Sequence, residues 1–270
     1  MTCFPRNSVA SGVFLLLALA GCGSDSPATG DDPNARARAV LDRVVDSTGG
    51  LDSLQAVGTL VAHYAFSQFF PTEPGAPDSV TVAEVLQARD FVNGRSLYEF
   101  HIAATPETWE RVVMAPDGAF RVNLLTHATQ RFPTPAQALA QYADLQLRWY
   151  IHQAILEARL AATLLRRLPD TTMDGVPRQV ITWPGSDSEI LLYVDPVTGR
   201  ITDRIWRFDA PTGARQIHMR FGDYERVGGY WMPMVITLLD DGRVAARYDI
   251  RDLRINAPLN PSAFALPGGP

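Results

Sequence analysis

The stretch Ile190–Phe208, ILLYVDPVTGRITDRIWRF, sets two strand-forming runs on either side of a short turn. Both runs are rich in β-branched and aromatic residues, which favour strands. Between them, Asp195 to Gly199 has the composition of a turn, because proline fixes φ and glycine takes a positive φ. A calcium loop would need alternating oxygen ligands and a distal glutamate, which this stretch lacks. The stretch therefore predicts an antiparallel hairpin.

The chain on both sides of this hairpin continues in the same way. Further strands are predicted over residues 178–183, 214–224, 230–239 and 243–256. Glycine-containing turns at 211–213, 228–229 and 240–242 separate the later strands, so the second half of the chain predicts an antiparallel meander. In the last strand, apolar side chains alternate with charged ones, which indicates one covered face and one face in water.

The first half of the chain begins with helix and changes to strand. Residues 34–48 carry one apolar stripe at helical spacing, and a short helical turn follows over residues 51–57. From Thr59 onward the composition favours strands, and Asn93-Gly94 between two such runs is a strong hairpin signal. The turn at residues 116–118 repeats this arrangement.

A long helical segment is predicted from Thr134 to Leu168, between the two groups of strands. It is apolar over an unusually wide arc, Pro135 suits its first turn, and Pro169 follows its end. A break over residues 142–147 would divide it into two helices. The whole pattern predicts a single domain over residues 34–267, of the α+β class and mainly antiparallel β.

The amino terminus has the features of an export signal. A positive segment with Arg6 and a short apolar run come first, and Leu19-Ala20-Gly21-Cys22 resembles the bacterial lipobox. This resemblance implies that residues 1–21 are removed and that Cys22 is acylated. The polar composition of residues 22–33 predicts a flexible tether. In the lipoprotein pattern an aspartate directly after the cysteine favours the inner membrane, so the resemblance, with Gly23 at this position, implies the outer membrane. The alternative is an ordinary signal peptide that contains a cysteine.

The composition excludes several kinds of chemistry. A net charge of -5 gives no basic surface for nucleic acid, and the absence of lysine excludes a lysine nucleophile or Schiff base.

The histidines have no metal-ligand spacing, and we predict that each lies at the surface; they are His63, His101, His127, His152 and His218. No nucleophile elbow or phosphate loop occurs. We predict no catalytic site, no metal and no cofactor, although carboxylates such as Glu84, Glu99, Glu110 and Asp223 could still pair in space.

Apolar side chains share one face in several of the later strands and along the long helix. They could fill a closed core, or they could line a cavity for an apolar ligand, for which methionine is an adaptable lining residue. The candidate cavity residues are Trp206, Phe208, Ile217, Met219, Phe221, Met232, Met234, Trp149, Leu156 and Leu160. A curved sheet with a helix as its lid would place such a cavity on the concave face.

Three stretches resemble the lipoprotein carriers of the Lol system and their relatives. They are the hairpin Ile190–Phe208, FGDYERVGGYWMPMVITLL from Phe221 and IRDLRINAPLNPSAFALP from Ile250. The resemblance implies an incomplete, half-open β-barrel around an apolar cavity, with a helical lid on its concave face, that accepts acyl chains. The anchored members are closer in layout, because the soluble carrier lacks a lipid anchor, and Phe69-Phe70-Pro71 is a candidate for a membrane-insertion loop.

These observations favour a non-enzymatic envelope lipoprotein whose half-barrel binds a lipid or acyl chain, as a carrier or acceptor. Its partners would be the membrane, through Cys22, the lipid ligand and another envelope protein. The alternative is an envelope scaffold or interaction module with a filled core. A hydrolase is disfavoured because the sequence lacks the motifs of one.

Overall fold

Thirteen strands form one antiparallel sheet in the computed structural model, which describes residues 33–70, 78–116, 118–132, 151–185, 188–210 and 213–265. Across the sheet the strand order is β6-β5-β4-β3-β2-β1-β13-β12-β11-β10-β9-β8-β7. The strands are β1 Thr59–Phe70, β2 Ser79–Asp90, β3 Arg95–Ile102, β4 Glu110–Ala115, β5 Gly118–Asn123, β6 Thr129–Phe132, β7 Arg166–Met173, β8 Val176–Pro184, β9 Glu189–Val194, β10 Ile201–Ala210, β11 Gly213–Val227, β12 Tyr230–Asp240 and β13 Arg243–Ile255.

The sheet is two meanders joined by one pairing between distant parts of the chain. β1 to β6 follow one another, as do β7 to β13, and β1 pairs with β13 in the middle. Within the described residues β6 and β7 are the two edges and do not pair with each other. The sheet is therefore an incomplete barrel, which confirms the predicted fold class.

Three helices lie within the described residues: α1 Pro33–Thr48, α2 Leu51–Gln55 and α3 Ile151–Leu160. The apolar stripe of α1 is buried, and Ile151 and Ile155 of α3 join it in the main core against one face of the sheet. We call this face the inner face and the opposite one the outer face. The helices cover the part of the inner face that carries the main core, and they form the predicted lid there. None of the helices that the structure describes is long and apolar enough to span a bilayer.

The hairpin between β9 and β10 has the predicted turn. Oδ1 of Asp195 accepts hydrogen bonds from the backbone N–H groups of Val197 at 2.7 Å and Thr198 at 3.1 Å, and Gly199 has φ of 71°. Burial opposes ionisation of Asp195, but these bonds hold the pKa of its carboxyl below the usual value. The Ser47 hydroxyl of α1 donates to the Gly199 carbonyl at 2.9 Å. The turn thus fixes the helix on the sheet.

The prediction of one helix as far as Leu168 is wrong at its carboxyl end. Helix α3 ends at Leu160, and Arg166–Met173 is the edge strand β7. Pro169 lies in a bulge between Leu168 and Thr171, and a proline is tolerated there because an edge strand leaves some N–H groups unpaired. The earlier part of the predicted helix, residues 134–150 with the predicted break at 142–147, lies outside the described part of the chain.

The carboxyl-terminal segment closes the fold on the outer face. Oδ1 of Asn256 accepts a hydrogen bond from the Gly58 backbone at 2.8 Å, which fixes the chain beside the start of β1. A 3-10 turn over Pro261–Phe264 follows, and Phe264 packs against Leu97 and Phe120. The outer face of β3 to β5 is therefore covered. In the last strand, β13, for which the sequence predicted one covered face and one face in water, Ala246 and Tyr248 are buried and Arg247 and Arg251 are exposed.

Candidate functional site

The inner face of the sheet carries an open cleft of about 820 Å³ on strands β1 to β6. Its apolar part consists of Phe66 on β1, Ala83 on β2, and Phe100 and Ile102 on β3. Strand register brings these residues together, since Ala83 is paired with Phe66 on one side and with Ile102 on the other. Phe66, Phe100 and Ile102 are each only partly buried. They form an apolar floor that the described helices do not fully cover.

Polar side chains occupy the other side of the cleft, on β4 to β6. Glu110 on β4 is the cross-strand partner of Phe100 on β3. Arg121 on β5 is the cross-strand partner of Gln130 on β6. Nη1 of Arg121 lies 3.5 Å from Oε2 of Glu110, and its Nη2 donates to Oε1 of Gln130 at 2.6 Å. Burial raises the pKa of Glu110, and Arg121 opposes this shift. The cleft therefore has an apolar side and a charged side.

The rim of the charged side is built by a 3-10 turn, Pro106–Thr108. The Asn123 side chain donates to the Glu107 carbonyl at 2.6 Å, and its Oδ1 accepts from the Thr126 backbone at 2.8 Å. The Trp109 ring N–H donates to the Ile102 carbonyl at 2.8 Å. These bonds place the exposed Glu107 at the same end of the cleft as Glu110.

The part of the inner face beneath the helices is filled instead. A small cavity of about 20 Å³ lies there, beside Leu60, Tyr64 and Met232. This volume is about that of one water molecule. This cavity therefore has no room for a ligand larger than water.

The structure separates the predicted cavity residues into several groups. Met219, Phe221 and Met232 are buried in the main core, and Trp206, Met234 and Leu156 pack partly buried against it. Phe208 and Ile217 are half-buried on β10 and β11. These residues do not contribute to the large cleft. Their predicted contact with a ligand stays a prediction.

Leu160 has to be removed from the predicted cavity lining. It is 89% exposed at the end of α3, because the helix turns this position away from the core that holds Ile155 and Ala158. Trp149 and Cys22 lie outside the described residues, as do the predicted signal segment 1–21 and nearly all of the tether. For these positions the sequence predictions stand as they were made.

Helix α3 is fixed to the inner face by charged and polar contacts. Nη2 of Arg204 lies 2.6 Å from Oε2 of Glu157, and the Arg204 side chain is 3% exposed. A second pair joins Arg159 to Asp42 of α1 at the surface, at 2.9 Å. The Asn34 side chain of α1 donates to the carbonyls of Ala162 and Leu165, which come just after the end of α3, each at 2.9 Å. The lid is thus held at several points.

Two histidines are buried, which corrects the prediction that all five lie at the surface. On the outer face, Nε2 of His218 lies 2.6 Å from Oδ1 of Asp203. On the inner face, the His152 ring packs edge-on against Phe91, with 5.0 Å between the ring centroids. Alternation along β11 places His218 on the face opposite Met219, but no local pattern indicates that this face is covered there. Nothing in the sequence near His152 distinguishes it from a surface residue.

The described residues contain no arrangement that identifies a catalytic or metal centre. No group of three or more potential ligand side chains is placed to hold a metal ion in this part of the chain. Among the described residues no hydroxyl or thiol is hydrogen-bonded to His218, so the Asp203–His218 pair does not extend to a nucleophile there. Three of the four carboxylates considered from the sequence lie beside arginines: Glu99 lies 2.7 Å from Arg111, Glu84 lies 2.8 Å from Arg251 and Glu110 lies 3.5 Å from Arg121.

Comparison with solved structures identifies the fold. No family model matches the sequence, and no curated protein matches it. A DUF1329 family protein from Desulfovibrio piger has a TM-score of 0.52 at 13% identity, covering 87% of this chain and 98% of that one. A LolA superfamily protein from Nitrosomonas europaea has a TM-score of 0.50 at 16% identity, with coverages of 85% and 97%.

A third solved structure agrees with these two. It is a domain from Vibrio parahaemolyticus described as an outer membrane lipoprotein-sorting protein, with a TM-score of 0.51 at 11% identity and coverages of 84% and 97%. Identities this low show the fold alone. The chain therefore has the LolA-type fold, which confirms the structural likeness that the sequence indicated.

Proposed function

We propose that the protein is a lipoprotein of the bacterial cell envelope that binds the acyl chain of a lipid in the open cleft. The observation that carries this proposal is the partly exposed apolar floor of Phe66, Phe100 and Ile102 on the inner face. Pockets for small ligands commonly have volumes of about 300–1,000 Å³, and the cleft lies within that range. Aromatic and aliphatic side chains left open to water favour an apolar occupant.

The fold and the amino terminus support the same proposal. A solved neighbour with this fold is described as a lipoprotein-sorting domain of the outer membrane. The lipobox-like sequence ending at Cys22, followed by a polar tether, would hold the domain close to a bilayer. Acyl chains are then the most abundant apolar ligands in reach, and the outer membrane is the proposed location.

The proposed role is binding or transfer, without catalysis. The polar contacts of the described residues favour this role, because His218 contacts a carboxylate and because Glu84 and Glu99 pair with arginines. The LolA-type fold is also shared with a lipoprotein-sorting domain. A carrier or acceptor of lipid needs a cleft and an anchor, and it needs no nucleophile.

Native mass spectrometry of the full chain would test this proposal. The chain should carry Cys22→Ser, so that its own acyl chains are absent, and should be purified from bacterial cells without detergent. We expect a bound mass that corresponds to a phospholipid or an acylated molecule. A chain that is folded, that comes without lipid and that takes up none from vesicles would contradict the proposal.

An interaction module is the second candidate function, and two observations favour it. The core beneath the helices is filled, and Val80 and Val82 on the outer face of β2 are 49% and 50% exposed. Apolar side chains on a sheet face can bind a protein partner. Cross-linking in cells would separate the two functions, because a docking role predicts that Val80→Ser with Val82→Ser removes a specific partner and leaves lipid binding unchanged.

A further inference from the structure

The charges in the cleft are separated from its apolar floor by the order of the strands. Phe66, Ala83 and Ile102 lie on β1 to β3, whereas Glu110 and Arg121 lie on β4 and β5. A molecule that lies across these strands would place one end on apolar side chains and the other on charged ones. The cleft therefore matches an amphiphile with its polar group over β4 to β6.

The charged side of the cleft contains both signs of charge. Its described charged residues are Glu107, Glu110 and Arg121, two carboxylates and one guanidinium. Arg121 lies between Glu110 and Gln130, at 3.5 Å and 2.6 Å. A purely anionic polar group would lie beside two carboxylates, and a purely cationic group would lie beside the guanidinium. Each arrangement places like charges together, which disfavours binding.

We infer that the cleft selects a zwitterionic lipid, with its ammonium group on Glu110 and Glu107 and its phosphate on Arg121. This inference rests on the proposed function, since it names the lipid class for the same site. Phosphatidylethanolamine has the required chemistry, because a short link joins its ammonium donor to its phosphate. A guanidinium binds phosphate with paired hydrogen bonds, and an ammonium group binds carboxylates.

A competition between two lipids tests the inference. The full chain with Cys22→Ser is incubated with vesicles of equal parts phosphatidylethanolamine and phosphatidylglycerol, which carry identical acyl chains. The protein is separated from the vesicles, and its bound lipids are extracted and quantified by mass spectrometry. We expect a preference for phosphatidylethanolamine of about fivefold, the size of one ion pair in a partly exposed site.

Variants assign the preference to the cleft. Glu110→Gln should bring the ratio of the two lipids close to one while the total bound lipid is retained. Glu107→Gln should shift the ratio in the same direction, and this position is on an exposed turn where the change does not threaten folding. The matched control is Glu225→Gln, an exposed residue on β11 outside the cleft, which should leave the ratio unchanged.

The outcomes separate this inference from the proposed function. Lipid bound at equal ratio, or a preference for phosphatidylglycerol, would overturn the inference and leave lipid binding in place. A preference that persists in both Glu110→Gln and Glu107→Gln would also overturn it, because the ammonium group would then be recognised elsewhere. A Cys22→Ser chain with an unchanged cleft that binds neither lipid would overturn the proposed function itself.

Discussion

Nε2 of His218 on β11 lies 2.6 Å from Oδ1 of Asp203 on β10, and both side chains are buried on the outer face of the sheet. Burial opposes ionisation of Asp203, but hydrogen bonds from His218 and Thr202 hold the pKa of its carboxyl below the usual value. Arg220, whose Nε lies 3.5 Å from Asp203, adds to this effect. The pair joins two neighbouring strands in the half of the sheet that carries the helices.

The first prediction concerns this pair. Asp203→Asn keeps the shape of the side chain but removes the buried negative charge, so we expect the free energy of unfolding to fall by roughly 1–3 kcal/mol at neutral pH. Urea denaturation followed by circular dichroism would measure the change. The matched control is Asp46→Asn on the exposed side of α1, for which we expect less than about 0.5 kcal/mol. Equal effects at the two positions would show that the Asp203–His218 pair contributes no more to the free energy of unfolding than an exposed carboxylate does.

The pair also shows which features of the fold were predictable from sequence. The stripe of α1 and the Asp195–Gly199 turn depend on neighbours in the chain, and both were predicted correctly. The pairing of β1 with β13 and the contact of Asp203 with His218 depend on sheet register instead. The first three residues of β7, Arg166–Leu168, were predicted as the end of the long helix, because leucines continue the apolar pattern as far as Leu168 and Pro169 suggested a helix end.

The second prediction concerns the turn at Gly199. A Cβ atom at this residue would lie 3.0 Å from the Arg43 carbonyl and 3.1 Å from Cβ of Ser47, and its φ is 71°. Gly199→Ala should therefore lower the free energy of unfolding by about 2–4 kcal/mol, from backbone strain together with displacement of α1.

Gly175 is the control for this effect. It has a similar φ of 78° in the turn between β7 and β8, but a Cβ atom there would have open space. Gly175→Ala should thus show the cost of backbone strain alone, about 1–2 kcal/mol. Urea midpoints of the two variants would give the comparison. A Gly175→Ala variant as unstable as Gly199→Ala would mean that contact between the turn and α1 has no measurable effect.

The candidate site was less predictable than the fold. Alternation along β11 and β12 correctly indicated which side chains share a face, and Met219 and Met232 do lie on the inner face. It could not indicate which part of that face the helices cover. The open part is formed by Phe66, Phe100 and Ile102, from strands whose sequences show no distinct motif. Covering a sheet with a helix is a tertiary event that no local pattern determines.

The third prediction concerns the buried His152. Burial and, to a smaller extent, the nearby Arg89 together lower the pKa of His152 to about 4. An unfolded chain has a histidine pKa of about 6.5. Between pH 6.5 and 4 the unfolded chain therefore binds a proton that the folded chain does not, so stability should fall as the pH is lowered through this window. The expected total is up to about 3 kcal/mol.

His152→Gln would test the assignment of this pH dependence. The variant has no titrating ring, so its stability should change less than that of the wild type between pH 6.5 and 4. Urea denaturation at a series of pH values would measure both profiles. His127→Asn, at an exposed turn position, should keep the wild-type profile. A His152→Gln profile as steep as that of the wild type would assign the acid sensitivity to other groups.

The last prediction compares the two regions of the inner face. Met219 is 1% exposed beneath the helices, so Met219→Asp buries an unpaired charge and should cost more than about 4 kcal/mol, enough to abolish cooperative unfolding. Ile102 is partly buried on the cleft floor, where a carboxylate can stay hydrated. Ile102→Asp should therefore retain the fold and lose bound lipid. Thermal unfolding followed by circular dichroism would measure the effect on folding, and native mass spectrometry of the same samples would measure bound lipid. A Met219→Asp chain that is folded but carries no lipid would place the ligand beneath the helices instead.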